Sequence, residues 1–597
     1  MPDDNKNLIA FVIMAILLLV TFESYTYFIV DPAARQAAAR AHAEAPAANP
    51  AAATPVARPL SRVAALALSP RVIIDTPSLS GSIALKGARL DDLFLKNYHV
   101  DVAKSSPLVE LLRPEGMTDA YFAEAGWVGA NLPGLPDGQT LWTLASGRDL
   151  APGRPVVLTY AAPGGLVFTR KIEVDARSMF TLTDTVANQG AAPVNLAPYA
   201  SVERRGLPPD PNKSGLVHEG AIGVLGLDKP ELKLTSYKSW KKKGEEDWQS
   251  RGGWLGITDK YWMTAFIPQQ SERIDAKIRA ATDAASGADL YEAAYLARAR
   301  SIPAGGQTSE VTHLFAGAKT VPVLKAYQKA LDIPRFDDAV DWGILFFLTK
   351  PIFSLLEFFY QLVGNFGVAI LMLTVVIRLI TFPLANKGFE MGVKMKKIQP
   401  ELKALQAKNK DNPAAQQKEM MALYAREKVN PVTGCVPILF QIPVFYSLTK
   451  LFTVTIEMRH APFFGWIHDL SARDPTTIVN LFGLIPWDPS TAPLIGGLLG
   501  GVLHVGVWPL AYGLVTLVSQ SMTPQTGIDP TQQMLFKLMP ILFTFILAQY
   551  AVGLLIYWTW SGLITIVQQY VMMRRFKVEN PIDDFLGRFF AKPETSG

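Results

Sequence analysis

A single cysteine, Cys435, leaves the chain no disulfide of its own and no multi-cysteine metal site; by default such a residue is a small buried hydrophobe. No Gly-x-x-x-x-Gly-Lys phosphate loop, Gly-x-Ser-x-Gly elbow or His-Glu-x-x-His pair occurs, so the sequence marks of nucleotide hydrolysis, acyl transfer and zinc proteolysis are missing. The net charge of +5 is small and thinly spread, whereas a nucleic-acid binder gathers its basic residues on one face. Seven histidines are scattered, and His504, among glycines, reads as a packed or water-facing residue rather than a metal ligand. No cofactor, no metal and no direct reading of nucleic acid are expected, and no enzymatic activity.

What the chain does contain is a mosaic, with its apolar residues concentrated in the second half. Leu8 to Val30 is long enough to cross a hydrocarbon layer about 30 Å thick at about 1.5 Å per residue, and it runs past the length of a normal signal-peptide core. Asp31 to Arg62 holds 14 Ala and 5 Pro in 32 residues, too little bulky apolar surface for a core, which predicts an extended tether. From Pro70 to Pro322 short β-branched and aromatic runs alternate with Gly, Pro and Asn turns. Val156 to Tyr160, Ala162-Pro-Gly-Gly165 and Leu166 to Val174 form the clearest hairpin pattern. Repeated without intervening helices, that pattern predicts a large antiparallel β-sandwich, with an amphipathic helical stretch near Pro322 to Leu331.

Trp342 to Val363 is apolar but carries Lys350, Pro351 and Glu357, which suits a helix lying in the membrane interface. Later crossings are expected at Asn365 to Leu384, Val432 to Phe452 and Leu494 to Ser519, followed by a run from Leu535 to Met573. As one helix that run would reach about 58 Å, so it must fold back near Gln549 to Gly553. With the first anchor this makes six spans and puts both termini on one side. Ala385 to Asn430 carries ten Lys and Arg against five acids, and Thr455 to Ser490 two against four, so the lysine-rich connection is placed in the cytoplasm and the β domain outside. The expected organisation is an anchor over 1–30, a tether over 31–69, the β-sandwich over 70–335 and an interfacial helix over 336–364. Spans follow over 365–384, 431–454, 494–519, 535–550 and 551–573. They are joined by a cytoplasmic hairpin (385–430), an outer loop (455–493) and a cytoplasmic loop (520–534), with a cytoplasmic tail over 574–597.

The one strong charge deep in these spans is Arg378, and no intramembrane acid accompanies it, unlike a relay of paired carboxylates and histidines. An arginine at mid-bilayer costs roughly 2.5 to 3.5 kcal/mol on insertion scales, so a retained one faces water, a partner or a working cavity. Pro383 ends the run five residues later, which leaves snorkelling to the headgroups as the other reading. Thr374 shares its helix face at i−4. Gln441, Ser519, Gln520, Tyr557, Trp558 and Gln568 each read alone as an interhelical hydrogen-bonding residue; together they favour a hydrophilic pocket. In the cytoplasmic segment Met391, Met395, Ile398, Leu402 and Leu405 recur at alternating spacings of four and three, the seam of a two-helix hairpin that breaks at Asn409 to Pro413. Met391, Lys394, Met395, Lys397, Met420 and Met421 are its candidate contact residues, with core packing and solvation as the competing readings.

Four motifs then carry a resemblance. Asn430-Pro-Val-Thr-Gly-Cys-Val-Pro-Ile-Leu-Phe-Gln-Ile-Pro443, Phe464-Gly-Trp-Ile-His-Asp-Leu-Ser-Ala-Arg-Asp-Pro475, Asp529-Pro-Thr-Gln-Gln533 with Met539-Pro540, and Ile564-Thr-Ile-Val-Gln-Gln569 look like those of YidC-type membrane protein insertases in their Gram-negative form. The resemblance implies a monomeric inner-membrane insertase that takes nascent membrane proteins from the cytoplasm into the bilayer without nucleotide hydrolysis. Its five core helices would enclose a groove open to cytoplasm and lipid and closed to the periplasm. Arg378 matches the family's groove arginine, and Thr374, Tyr557 and Trp558 fall at groove-lining positions; Trp558 stands where tyrosine is frequent and Gly562 where asparagine is. The outer domain in this family resembles sugar-binding sandwiches and is not needed for the core activity. A Sec translocon and the ribosome are the partners it implies, beside nascent chains and lipid. A secondary transporter of a small anionic solute and a membrane-tethered sugar-binding protein are the alternatives.

Overall fold

The computed structural model describes residues 60–590 apart from 131, 210, 212–216, 284–286, 410–411, 430–435, 486, 494, 502 and 523–529. The expected anchor, most of the tether, Cys435 and the end of the tail lie outside the described residues. Two compact units result, one of residues 60–342 with 453–457, the other of residues 343–452 and 458–590.

The first unit is a sandwich of two large sheets. An 11-stranded sheet runs in the order Glu245–Arg251, Arg273–Thr282, Asp289–Ala297, Val194–Arg205, Tyr121–Val128, Arg89–His99, Leu79–Ala84, Arg71–Asp75, Asp149–Leu150, with Arg300–Ile302 and Leu108–Leu112 attached to its flanks. Its partner has nine strands: Glu231–Ser236, Gly220–Leu225, Trp254–Thr258, Trp262–Ile267, Gln307–Ala318, Met179–Asn188, Leu166–Val174, Val156–Ala162 and Thr143–Ser146. Pairing is antiparallel except between Arg71–Asp75 and Asp149–Leu150. The hairpin legible at 156–174 forms, with Ala162 opposite Leu166. Along Leu166–Val174 burial alternates at every residue, the period-2 signature of one face turned to a core. Phe168, Phe180, Phe266 and Leu314 of one sheet meet Leu90, Leu93, Ala123 and Val202 of the other in that core.

The same alternation points a charge inward. Arg170 is fully buried, and cross-strand register sets Asp184 directly opposite it. Arg170 Nε and Nη2 donate to the two carboxylate oxygens at 2.7 Å each, Nη2 also reaches Ala125 O at 2.7 Å, and Trp142 lies over the guanidinium. Arg204 is a second buried cation, 2.7 Å from Asp259 and stacked over Tyr121. Such pairs stabilise only as wholes, since removing one partner strands a buried charge.

Two boundaries differ from the sequence expectation. Helix α1 (Arg62–Leu66) lies within the segment expected as tether, because Arg62 pairs with Asp92 and Glu110 and covers the Phe94 ring. After α2 (Tyr237–Lys243) and α3 (Val321–Ala330), the β unit continues past 335. Phe336 is fully buried and packs edge-on against Trp254 and Phe315, and Trp342 Nε1 donates to Asp337 O at 2.9 Å, so apolar burial rather than a membrane interface holds 336–342.

The second unit is helical: α4 (Phe346–Val363), α5 (Phe366–Lys408), α6 (Pro413–Arg426), α7 (Val436–Val454), α8 (Gly496–Leu499), α9 (Val507–Met522), α10 (Pro530–Leu547), α11 (Val552–Arg575) and α12 (Pro581–Phe590). Among the described helices, α4 and α5 are long and apolar enough to cross a membrane. Gly364 ends α4 in the left-handed region, and Phe366 stacks on Tyr360 at 3.7 Å to make a tight corner into α5, which Asn365 caps by accepting from Val368 N. The 43 residues of α5 run unbroken through Pro383 and Pro400 and span about 65 Å, so the arginine-bearing segment and the first arm of the hairpin are one rod. The crossing expected from 494 starts as a regular helix only at Val507. Gly500 and Gly501 lie in the intervening segment, where glycine's backbone entropy disfavours continuation of α8.

Candidate functional site

Helix α11 lies between α5 and α9, and α9 in turn packs on α10. Glycine sets these approaches. A Cβ at Gly562 would stand 2.4 Å from Val515 Cγ1, and one at Gly513 would stand 2.3 Å from Thr544 Oγ1, so both positions are contacts where small residues let helices close up. The glycine at 562 thus has a packing reason of its own.

Down one side of α11 runs a polar stripe: Tyr557, Ser561, Thr565 and Gln568, at i, i+4, i+8 and i+11, cover about 16 Å of helix. Its partners come from two other helices. Arg378 on α5 donates through Nε to Ser561 Oγ at 2.7 Å and through Nη2 to the same oxygen. Gln568 Nε2 donates to Asn386 Oδ1, two turns further along α5, at 2.7 Å. Gln441 of α7 donates to Tyr557 Oη at 3.5 Å, the long limit of a hydrogen bond. Arg378 itself is half-buried, and among the described residues no carboxylate forms an ion pair with it. The guanidinium is therefore held by a neutral hydroxyl that fixes its direction and leaves its charge uncancelled, with three of its five donors unspent.

The other candidates are placed as follows. Thr374 is fully buried and its hydroxyl donates back to Ile370 O at 2.7 Å, within its own helix. Tyr557 is also fully buried, while Trp558, on the neighbouring face, stacks on Phe445 at 4.9 Å and is flanked by Tyr512 and Tyr550, an aromatic knot joining α7, α9 and the α10–α11 turn. Ser519 of α9 donates to Gln569 Oε1 at 3.3 Å, one turn beyond Thr565 on α11. Ser561, Thr565 and Asn386 escaped the sequence reading; the i+4 spacing from Tyr557 was the signal that could have found the first two.

In the hairpin, Met395, Ile398 and Leu402 of α5 and Leu423 of α6 form a small core with Val429, against which Leu405, Met420 and Tyr424 pack. Met391 is half-buried. Met421 is 62% exposed, so of the four methionines it is the one that faces outward. Lys394 pairs with Glu390 at 2.8 Å, and Lys397 lies 6.0 Å from the Phe576 ring. At the base, Arg574, Asn580 and Tyr570 converge on Asp583 of α12 and hold its carboxyl down at about 2.

Comparison with known proteins decides the family. A model described as the YidC periplasmic domain matches residues 71–355, and one described as the 60Kd inner membrane protein matches residues 358–580. The membrane protein insertase YidC of Caulobacter vibrioides is 52% identical, over 99% of each chain. This chain belongs to the YidC family of membrane protein insertases. Its Rhizobium etli relative of the same name is 47% identical over 88% of this chain and 86% of its own length. A crystal structure titled as an active YidC insertase with its first transmembrane domain resolved is 17% identical, covers 84% of this chain and 92% of that one, and has a TM-score of 0.34. The Caulobacter and Rhizobium relatives support neither the solute-transporter nor the tethered sugar-binding alternative. The chain is thus an inner-membrane insertase with a periplasmic β-sandwich followed by an apolar helical region.

Proposed function

We propose that the stripe of α11 and the facing sides of α5 and α7 form the hydrophilic groove of this insertase, with Arg378 as its working charge. A nascent segment entering a bilayer drags a polar terminus through hydrocarbon, at several kcal/mol for each unsatisfied group. A groove that offers hydroxyls, amides and a guanidinium shortens that dry path. Arg378 attracts acidic groups of the incoming terminus, Ser561 aims it, and Gln568 with Asn386 continues the polar track toward the hairpin. Burial of the client's apolar segment in lipid supplies the driving force, at roughly 25 cal/mol per Å².

In this reading the hairpin of α5 and α6 stands in the cytoplasm and receives the client first, with Met421 as the exposed apolar contact, while α4 lies in the interface. Six spans put both termini in the cytoplasm and the β unit in the periplasm. Nascent membrane proteins are the clients of a monomeric core, and the ribosome and a Sec translocon are the partners. The observation that carries the reading is the uncompensated guanidinium of Arg378, bound by a hydroxyl and by no acid among the described residues. Photo-crosslinking from position 378 to ribosome-stalled nascent chains tests it. Adducts should appear while the client's polar terminus is in transit and vanish once it has crossed; adducts with lipid alone would remove Arg378 from the path.

A further inference from the structure

Between the buried Asp474 and the start of α9, the chain makes an excursion that is pinned at its neck. Ile478 N donates to Val505 O at 3.0 Å and Val507 N to Thr476 Oγ1 at 3.0 Å, while the Asp474 carboxylate accepts from Trp508 N at 2.8 Å and from Thr476. One limb is tied to the α10–α11 turn through Gln549 Nε2 to Gly501 O at 2.7 Å, and to the segment before Asp474 through Arg473 Nη1 to Gly500 O at 3.0 Å. The other limb shows its apolar side chains to the outside: Leu481 is 54%, Phe482 43%, Leu484 84%, Ile485 43%, Trp487 41% and Ile495 52% exposed.

That display is built rather than frayed. Leu481 and Phe482 both sit at positive φ (+51° and +60°), a conformation that bulky residues adopt only when their surroundings impose it. The surroundings are Asn480, 8% exposed, whose Oδ1 accepts from Gly483 N at 2.9 Å and from Thr477 N, and whose backbone O accepts from Ile485 N at 3.1 Å. Phe482 N donates to Thr477 O at 2.8 Å. From Thr476 to His504 the one charged residue is Asp488.

We propose that this limb, 478–495, is a lip that inserts into the bilayer, taking phospholipid acyl chains at the headgroup boundary as its partner. The inference rests on the reading of the helical unit as membrane-embedded. Three observations select lipid over a protein partner. The lip stands at the N-terminal end of α11, some 36 Å of helix from the hairpin base where Lys396 meets Glu579 O, which is where the opposite membrane surface falls. The helix that follows it, α9, also carries an exposed apolar stripe, Leu510, Leu514 and Leu517, at i, i+4 and i+7. Trp487, part-exposed within it, is the amphipathic ring that membrane interfaces favour, and the stretch lacks the mixed charge of a polar rim.

The test uses the full chain in phosphatidylethanolamine–phosphatidylglycerol vesicles, in a Cys435→Ser background, with the environment-sensitive dye NBD on Leu484→Cys and, as a water-exposed control, on Gln417→Cys in the hairpin. Lipids spin-labelled near the headgroup should quench position 484 at least twofold more than position 417, and its emission should be blue-shifted. Water-like emission with efficient iodide quenching at 484 would overturn the proposal, and so would protection from both quenchers, which marks cover by the β unit, a second copy or another protein. Since the Cys435 substitution can itself disturb the fold, a second variant keeps Cys435 and carries benzoylphenylalanine at 484. Its photo-adducts should be with phospholipid, and predominantly protein adducts would sink the lip. Client insertion is measured on the same vesicles: lipid contact with no insertion counts against the insertase reading and not against the lip, and insertion without lipid contact does the reverse.

Discussion

Replacing Arg378 should slow insertion in proportion to the acidity of the client's translocated terminus. The guanidinium spends two donors on Ser561 Oγ, leaving three for a client carboxylate. At about 4 Å and an effective dielectric of about 20, two unit charges attract by about 4 kcal/mol, and water in the proposed groove would reduce this toward the roughly 1.5 to 3 kcal/mol of a hydrogen bond to a charged group. At about 1.4 kcal/mol per factor of ten, Arg378→Ala and Arg378→Gln should slow a client with one acidic residue in its terminus by roughly 10- to 100-fold. A client with a neutral terminus should change by less than about threefold. Arg378→Lys keeps the charge but gives up the fork, so it should retain part of the activity. Arg378 also ties α5 to α11, so a loosened bundle must be separated from a lost charge. Ser561→Ala removes the tie and keeps the charge, and should cost only a few-fold on acidic clients. The assay is the time course of protease protection of radiolabelled clients in vesicles reconstituted with each variant, with tail charge varied at constant length. Equal slowing of neutral and acidic clients, or normal rates for both in Arg378→Ala, would refute the electrostatic reasoning.

Four further outcomes follow from the geometry. Asp184→Asn leaves the Arg170 charge buried without its counter-ion and should destabilise the sandwich by about 3–5 kcal/mol, a fall in melting temperature of roughly 10 °C by circular dichroism. Burial and the neighbouring Glu124 and Glu292 push Glu203 up to about 7, and burial and Glu272 raise Glu310 to about 7, so the folded sandwich holds protons that the unfolded chain releases. Their contribution to its stability should be fully present below about pH 4.5 and be lost as pH rises through 7, by on the order of 2 kcal/mol per group, and Glu203→Gln or Glu310→Gln should each flatten the slope in urea titrations. Leu402→Ala empties the hairpin core at a local cost of about 2–5 kcal/mol and should expose 391–429 to limited proteolysis, whereas Met421→Ala should leave the cleavage pattern unchanged. Gly562→Val drives a branched side chain into Val515 and should cost about 1–3 kcal/mol in detergent thermal unfolding, with partial rescue by Val515→Ala.

How much of this was readable beforehand depended on whether the determining contacts are local. The hairpin at 156–174 declares itself through alternation and a Pro-Gly-Gly turn within one short window, and the sandwich follows from its repetition. Arg170 reads as an ordinary polar position there, because Asp184 becomes its partner only through strand register. In the helical half, Arg378 stands out because a lone charge among aliphatic residues is conspicuous. Ser561 and Thr565 are silent singly, since small hydroxyls satisfy themselves within a helix, as Thr565 does on Ser561 O at 2.9 Å. Ser561 is 183 positions from the guanidinium it holds. The stretch before α9 misled for a different reason: hydropathy sums over Leu494 to Leu503 as it would over a crossing, yet glycines at 496, 497, 500 and 501 remove the helical preference that a crossing needs.

In the proposed groove, the reason that serine rather than an acid holds Arg378 follows from what each would do to a passing client. A buried carboxylate beside Arg378 would satisfy the guanidinium permanently, and an acidic terminus would then have to displace a geometrically matched partner before gaining anything. A hydroxyl orients the same guanidinium while leaving a full positive charge to be met by water or client, so the exchange as a carboxylate arrives is nearly balanced. Near balance is what a conduit requires. A client bound several kcal/mol too tightly at position 378 would be trapped, whereas one met by a partly hydrated cation can move on into lipid, where burial of its own apolar segment exceeds anything the groove offers. The neutral amides of Gln568 and Asn386 extend this logic toward the hairpin of α5 and α6, since their dipoles accept either end of a polar terminus without holding it.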